Sequence, residues 1–215
     1  VAVTEHQTAG RGREGRAWED VAGRSLLLSV LLKPRVVGSA SPQLSVVAGL
    51  AVAESVDHIA GTDARLKWPN DVLVSGAKLA GILVERVDTP SGPAAVVGVG
   101  VNVGQAGTDL PNGATSLAAL GVAVTVDQVR SALLESMAAR YGAWARDGGD
   151  AATGLRPAYT RLCDTLGREV RVELPGRPVA VGEAVDVDAN GRLVVRTTDG
   201  PVAVSAGDVV HVRPA

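Results

Sequence analysis

The apolar residues of this chain fall into blocks of differing period, and each block predicts an element. Val1 to Thr4 read as the end of a strand, and Thr8 to Asp20 as a Gly/Arg loop without periodicity. Ser25 to Leu32 (SLLLSVLL) is a nearly unbroken apolar run, the pattern of a buried strand. Pro34 to Gly38 is a turn. Ser41-Pro42 then opens a helix, with Ser at the N-cap and Pro at the first helical position. Its apolar stripe takes in Leu44, Val47, Ala48, Ala51, Val52 and Val56, and it ends near Gly61.

Three strands follow: Ala64 to Trp68, Asp71 to Val74 and Leu79 to Val87. Ser75-Gly76 joins the last two as a hairpin. Ala94 to Val103 is a further strand with glycine at alternate positions. Thr125 to Ala145 is the longest predicted helix. Thr125 and Gln128 form a capping box, and Leu133, Leu134, Met137 and Tyr141 keep helical spacing. A second helix is predicted from Ala151 to Leu162. From Glu169 to Val212 only short strands are expected. Their turn signals, Pro175-Gly176, Asn190-Gly191 and Asp199-Gly200, recur about every ten residues, as in a small antiparallel barrel. The boundary falls near 164–168, dividing the chain into units of 1–165 and 166–215.

Composition narrows the class. Hydrophobic residues make up 46% and charged residues 20% of the 215, an ordinary globular balance. Phe is absent, so the core must be built mainly from Val, Leu, Ala and Ile. The net charge of −2 does not support general nucleic-acid binding. No apolar run reaches the roughly 18 residues of a membrane span. A single cysteine, Cys163, excludes an intrachain disulfide and suits a cytoplasmic setting. The opening Val1-Ala2-Val3 reads as mid-strand, so residues are expected before it.

Three constellations carry chemistry. Gly10-Arg11-Gly12-Arg13-Glu14-Gly15-Arg16, followed by Trp18, combines glycines that let backbone N–H groups approach a ligand with guanidinium groups suited to phosphate or carboxylate. It has the G-x-G-x-x-G spacing but not the strand–helix setting of a dinucleotide site. A solvated Arg/Gly loop is the plainer alternative. Lys67-Trp68-Pro69-Asn70-Asp71 packs a cation, an aromatic, an amide and a carboxylate around a proline. A simple strand corner explains Pro69 to Asp71 but not the Lys-Trp before them. Lys78 sits at the mouth of an apolar strand that Gly81 interrupts, where a ligand can approach the backbone. A lysine snorkelling at a strand end is its alternative. Gly98 and Gly100 leave one strand face bare, and Asn102 beyond them offers an amide.

Taken together, TEHQTAGRGREGRAW, KWPNDVLVSGAKLAGILVE and GVGVN, in that order and followed by a strand-rich end, resemble the biotin–protein ligases over nearly the whole chain. Lys78 follows Lys67 of the KWPND run by eleven positions in a KLAGILVE run, a highly specific pairing. The resemblance implies an α+β fold: a mixed β-sheet with flanking helices, related to class II aminoacyl-tRNA synthetases, plus a C-terminal SH3-like β-barrel. It implies ATP and Mg²⁺ as co-substrate and metal, and biotin as substrate. The implied partner is the biotin carboxyl carrier protein domain of acyl-CoA or acetyl-CoA carboxylase, with no nucleic acid and no membrane, in a monomer or homodimer.

It also implies roles. Gln7 borders the biotin ureido pocket. Gly10, Arg11, Gly12, Arg13, Gly15 and Arg16 form an adenylate-binding loop, with Arg13 at the carboxyl and phosphate. Trp18 packs on adenine. Lys67, Asn70 and Asp71 line the nucleotide–metal side. Lys78 contacts the reacting carboxylate and α-phosphate, and Gly81 and Leu83 offer backbone groups to biotin. Gly98 and Asn102 face adenine. Lys78, Arg13, Lys67 and Asp71 are the expected catalytic set.

Two departures stand out. The family's Ser/Thr-Asn motif facing biotin would lie before Val1, and Glu14 occupies a position that is basic in many relatives. Nothing here corresponds to the winged helix-turn-helix of repressor-type relatives, so no DNA binding is expected.

This chemistry brings a carboxylate against a phosphate, so it needs positive charge already in place. A loop that closes over a water-sensitive adenylate is useful. No covalent enzyme intermediate is required, and Cys163, His6 and His58 lie outside the motifs. A lipoate–protein ligase shares the chemistry, but KWPND and the GRGREGR loop argue against it. A non-catalytic biotin sensor would not need Lys67, Asp71 and Lys78. An RNA-binding protein would need stacking platforms, and the chain has only three Trp and two Tyr.

Overall fold

The computed structural model describes all residues except 35–39, 151, 153, 174–177, 206–207 and 212–215. The turns expected at Pro34 to Gly38 and at Pro175-Gly176 fall wholly or mostly outside the described residues. Strands β1 (Ala2–Thr4), β2 (Ser25–Leu32), β3 (Ala64–Lys67), β4 (Asp71–Val74), β5 (Ala77–Thr89) and β6 (Gly92–Asn102) form a six-stranded sheet in the order β1-β2-β6-β5-β4-β3. Every pairing between these strands is antiparallel. The parallel component of the expected mixed sheet comes down to two isolated bridges, Leu66 to Cys163 and Lys78 to Ala114. The predicted hairpin turn is present: Ser75 and Gly76 both take positive φ, 51° and 78°, the combination that matches the twist of the strands it joins.

Helices α1 (Ala40–Ala60), α2 (Val126–Arg146) and α3 (Leu155–Leu162) are the long helical elements. Because α1 begins at Ala40, Ser41 and Pro42 lie inside its first turn rather than at its cap, a position proline still tolerates. α1 lies on the sheet and α2 lies on α1. Leu50 and Ala53 are therefore buried beside the predicted stripe of Leu44, Val47, Ala48, Ala51, Val52 and Val56. Each such leucine contributes about 1.5–3 kcal/mol on leaving water. Arg140 of α2 grips the Glu54 carboxylate of α1 through two nitrogens. The capping box at α2 forms as read, with Gln128 N–H donating to Thr125 Oγ1 and Thr125 N–H to Gln128 Oε1. α3 starts at Leu155, later than the expected Ala151. Glycines at 148, 149 and 154 break the preceding stretch, and Asp150 turns it by accepting from the Ala152 N–H.

Beyond α3, strands β7 (Glu169–Glu173), β8 (Ala180–Val187), β9 (Leu193–Thr197), β10 (Gly200–Val204) and β11 (Asp208–His211) form an antiparallel sheet in the order β10-β9-β8-β7-β11. No pairing joins β10 to β11 among the described residues, so this sheet is not closed. Its turns dock on the larger unit. Trp68 Nε1 donates to the Gly191 carbonyl at 3.0 Å, and Gln43 Nε2 to the Ala189 carbonyl at 2.9 Å.

Candidate functional site

The Gly/Arg stretch, read from sequence as an aperiodic loop, is a small hairpin folded over the open face of the large sheet. Trp18 N–H donates to the Gly10 carbonyl at 3.0 Å, and Gly12 N–H to the Arg16 carbonyl at 2.7 Å. Its tip is a 3-10 turn, Arg13–Gly15, with Gly15 at φ 74°. Gly10 is required for closure, because a Cβ there would stand 2.4 Å from the Trp18 carbonyl oxygen. At the base, His6 Nδ1 lies 2.9 Å from Asp20 Oδ2. His6 thus has a partner that sequence spacing did not disclose.

The bare strand face has an occupant. Gly81 of β5 and Gly100 of β6 are register partners, and the Trp18 indole lies across both of them. The Lys78 ammonium stands 5.8 Å from the centre of that indole and 2.7 Å from Asp71 Oδ1. Asn70 secures the corner between β3 and β4. Its Nδ2 donates to the Ile82 carbonyl at 3.0 Å, and its own carbonyl accepts from Ile82 N–H at 2.9 Å. Pro69 follows Trp68 through a cis peptide bond. Arg11 reaches across to Glu85 of β5 at 3.0 Å.

These elements enclose a cavity of about 460 Å³. Gln7, Arg11, Gly12, Arg13, Arg16 and Trp18 line it from the hairpin side, and Lys67, Asn70, Asp71, Lys78, Gly81, Leu83 and Gly98 from the sheet. Five cationic side chains face it against two carboxylates, Asp71 and Glu85. The cavity is suited to a multiply charged anion. Gly10 and Gly15 shape the hairpin without lining the cavity. Asn102 does not line it either. It is 5% exposed, its Nδ2 donates to the Thr115 carbonyl and its Oδ1 accepts from Gln105.

Sequence reading missed Leu27 and Ser29 of β2, Glu85, and Val209 and Val210 of β11, all on the cavity wall. The alternation of β2 was hidden within its unbroken apolar run, and no local pattern shows that β11 meets the larger unit. Burial pushes the Cys163 thiol up, and Tyr159 beside it is raised in the same way. Cys163 is thus a neutral packing group away from the cavity wall.

No group of three or more metal-ligating side chains occurs among the described residues. A magnesium ion usually arrives on nucleotide phosphates with one or two protein carboxylates. Asp71, a carboxylate on the cavity wall beside Lys67, Asn70 and Lys78, fits that arrangement.

Known proteins match this architecture. Residues 1–102 match the biotin/lipoate A/B protein ligase family, and residues 165–212 match the biotin protein ligase C-terminal domain. The biotin–[acetyl-CoA-carboxylase] ligase of Mycobacterium tuberculosis is 45% identical over 220 residues, covering 99% of this chain and 79% of that protein. The enzyme of the same name from Paracoccus denitrificans is 35% identical over 217 residues, covering 96% and 88%. Among solved structures, the biotin protein ligase from Aquifex aeolicus in complex with biotin and ATP superimposes with a TM-score of 0.82 at 28% identity, over 99% of this chain and 88% of that one. The chain belongs to the biotin protein ligase family.

Proposed function

We propose that this chain is an ATP-dependent biotin–protein ligase. It forms biotinyl-5′-AMP from biotin and ATP, then passes the biotinyl group to a lysine of the biotin carboxyl carrier domain of an acetyl-CoA or other acyl-CoA carboxylase. The observation that carries this reading is the meeting of Lys78, paired to Asp71 at 2.7 Å, with the arginine hairpin around one cavity. The names of the relatives from Mycobacterium tuberculosis and Paracoccus denitrificans support biotin over lipoate.

In the first step a carboxylate oxygen of biotin attacks the α-phosphorus of ATP. A new P–O bond forms, the bond to the β-phosphate bridge breaks, and pyrophosphate leaves. Two anions approach, so fixed cations lower the barrier most. Lys78 bridges the carboxylate and the α-phosphate, and Arg13 at the hairpin tip covers them. Lys67 and Asn70 face the nucleotide. Asp71 would meet a magnesium ion arriving on the nucleotide phosphates, which would supply positive charge for the departing pyrophosphate. Gln7, Gly81 and Leu83 hold biotin, and Arg11, Gly12 and Arg16 close the hairpin over it. Trp18 and Gly98 serve the adenine side. In the second step the carrier lysine amine attacks the acyl carbon and AMP departs. No enzyme nucleophile is needed.

We assign 1–165 to the catalytic unit and 166–215 to a C-terminal unit of SH3-like type, an open sheet among the described residues, whose Val209 and Val210 line the cavity. We place the enzyme in the cytoplasm. No helix of the described residues is long and apolar enough to cross a membrane.

The test is pyrophosphate release on mixing the protein with biotin and ATP, followed by labelling of a purified carrier domain. Lipoate in place of biotin should give a rate at least tenfold lower. Equal rates would move the assignment to lipoate.

A further inference from the structure

We infer that Asp20 is a positioning residue for Gln7 and thereby sets how well the site holds biotin. This rests on the ligase reading of the site. Strand β1 leaves its pairing with β2 after Thr4, and the arginine hairpin closes only at Gly10, whose carbonyl accepts from Trp18 N–H. Residues 5–7 lie between, in neither strand nor hairpin. Gln7 is therefore a cavity-wall residue on a stretch that has no ladder of its own. On the other arm, residues 19–24 run from Trp18 back to β2. Gly23 N–H donates to the Glu5 carbonyl at 2.9 Å and ties the two arms once. The next tie toward the cavity is made by a side chain.

Asp20 supplies it. Its Oδ1 accepts from Gln7 N–H at 3.3 Å, and its Oδ2 lies 2.9 Å from His6 Nδ1. One carboxylate thus holds two consecutive residues of the opposite arm through separate oxygens. The Asp20 side chain is 1% exposed, against 52% for His6. A carboxylate taken out of water is costly unless donors meet it, so the two contacts fix where the arms sit. Thr4 Oγ1 adds a hydrogen bond to the His6 carbonyl at 3.0 Å. The Gln7 amide is aimed from this anchor. Its Oε1 packs over Gly10, where an added Cβ would stand 2.9 Å from it, and the side chain borders the cavity. Asp20 itself lies off the cavity wall. It acts on the substrate through Gln7, on the biotin side rather than the nucleotide side.

The experiment compares Asp20→Ala and Asp20→Asn with the unaltered protein, in formation of biotinyl-5′-AMP and in calorimetric titration with biotin alone. Asp20→Ala removes both acceptors. Kd and KM for biotin should rise about tenfold, the worth of one misaligned hydrogen bond to the ligand. The rate at saturating biotin and the KM for ATP should stay within about twofold, as when binding alone is weakened. Asp20→Asn keeps an oxygen for Gln7 N–H and should hold both biotin constants within about threefold of the unaltered protein. In a Gln7→Ala background, Asp20→Ala should change the KM for biotin by less than about twofold, since the two residues act as one unit.

A rise in KM for biotin and ATP together, or a fall in the saturated rate, would overturn the inference in favour of a hairpin loosened as a whole. A full tenfold effect in the Gln7→Ala background, or an Asp20→Asn variant as defective as Asp20→Ala, would also overturn it. Should Asp20→Ala not fold, His6→Ala removes one of the two contacts that aim the carboxylate. It should raise the KM for biotin about threefold with the same dependence on Gln7, and an unchanged KM would overturn the inference. An unaltered protein that releases no pyrophosphate with biotin and ATP would overturn the ligase reading itself, a separate result.

Discussion

A Cβ placed on Gly100 would stand 2.5 Å from the indole of Trp18, and one on Gly81 would stand 2.9 Å from it. The two glycines form one seat, and the hairpin rests on the sheet through that indole. Gly100→Ala should therefore lift Trp18 off the sheet. Intrinsic fluorescence should shift to the red, and kcat/KM for adenylate formation should fall at least about tenfold. An unshifted spectrum with full activity would show that the seat does not hold the hairpin.

Lys78 is about one-third exposed, so its removal should cost little stability. Lys78→Ala should cut adenylate formation by about 10²–10³. The melting temperature should move by no more than about 4 °C, the equivalent of roughly 1–2 kcal/mol in a chain of this size. Thermal melting alongside single-turnover kinetics separates the two effects.

The Arg11–Glu85 pair ties the hairpin to β5 with both side chains well exposed, so it contributes about 0–1 kcal/mol and weakens in salt. Glu85→Gln should increase tryptic cleavage at Arg11, Arg13 and Arg16 severalfold without altering the melting temperature. Biotin with ATP should restore protection. Cleavage that ignores both the substitution and the ligands would contradict a hairpin closing over substrate.

Trp68→Phe deletes the donor to the Gly191 carbonyl and leaves that buried acceptor unpaired, at a cost of about 1–3 kcal/mol. The melting temperature should fall by roughly 2–10 °C. KM for ATP should rise, because Trp68 stands between Lys67 and Asn70 on the cavity wall. A variant that is destabilised with an unchanged KM would separate the docking of the second sheet from nucleotide binding.

Burial raises the Cys163 pKa, so its reactive thiolate is scarce at pH 8 in the folded protein. Iodoacetamide at that pH should modify the native chain at less than about a tenth of the rate seen in urea. Native mass spectrometry after timed exposure measures this directly. Equal rates would place the thiol at the surface.

Much of the architecture was legible because it rests on local signals. The Thr125/Gln128 capping box, the Ser75-Gly76 turn and the bounds of β2 and β4 are each set by a few neighbouring residues. The hairpin was read as an aperiodic loop because its pairing, Arg11 with Ala17, spans too few residues to set up an alternation. The meeting of Lys78, Asp71 and the arginine hairpin was anticipated from motif resemblance rather than from periodicity. Asn102 illustrates the limit. Its sequence setting, beside two glycines on a bare strand, suggested a ligand contact. Its partner, the Thr115 carbonyl, is a backbone group that no side-chain pattern reveals. Val210 joins the cavity for a tertiary reason alone, the docking of β11 beside the sheet.

The cavity draws one wall from Gln7 to Trp18 and another from Val209 and Val210. These segments emerge from the ribosome almost a whole chain apart. A nascent polypeptide that has already displayed the arginine hairpin and both lysines therefore lacks Val209 and Val210, and the full wall exists only once β11 has been made.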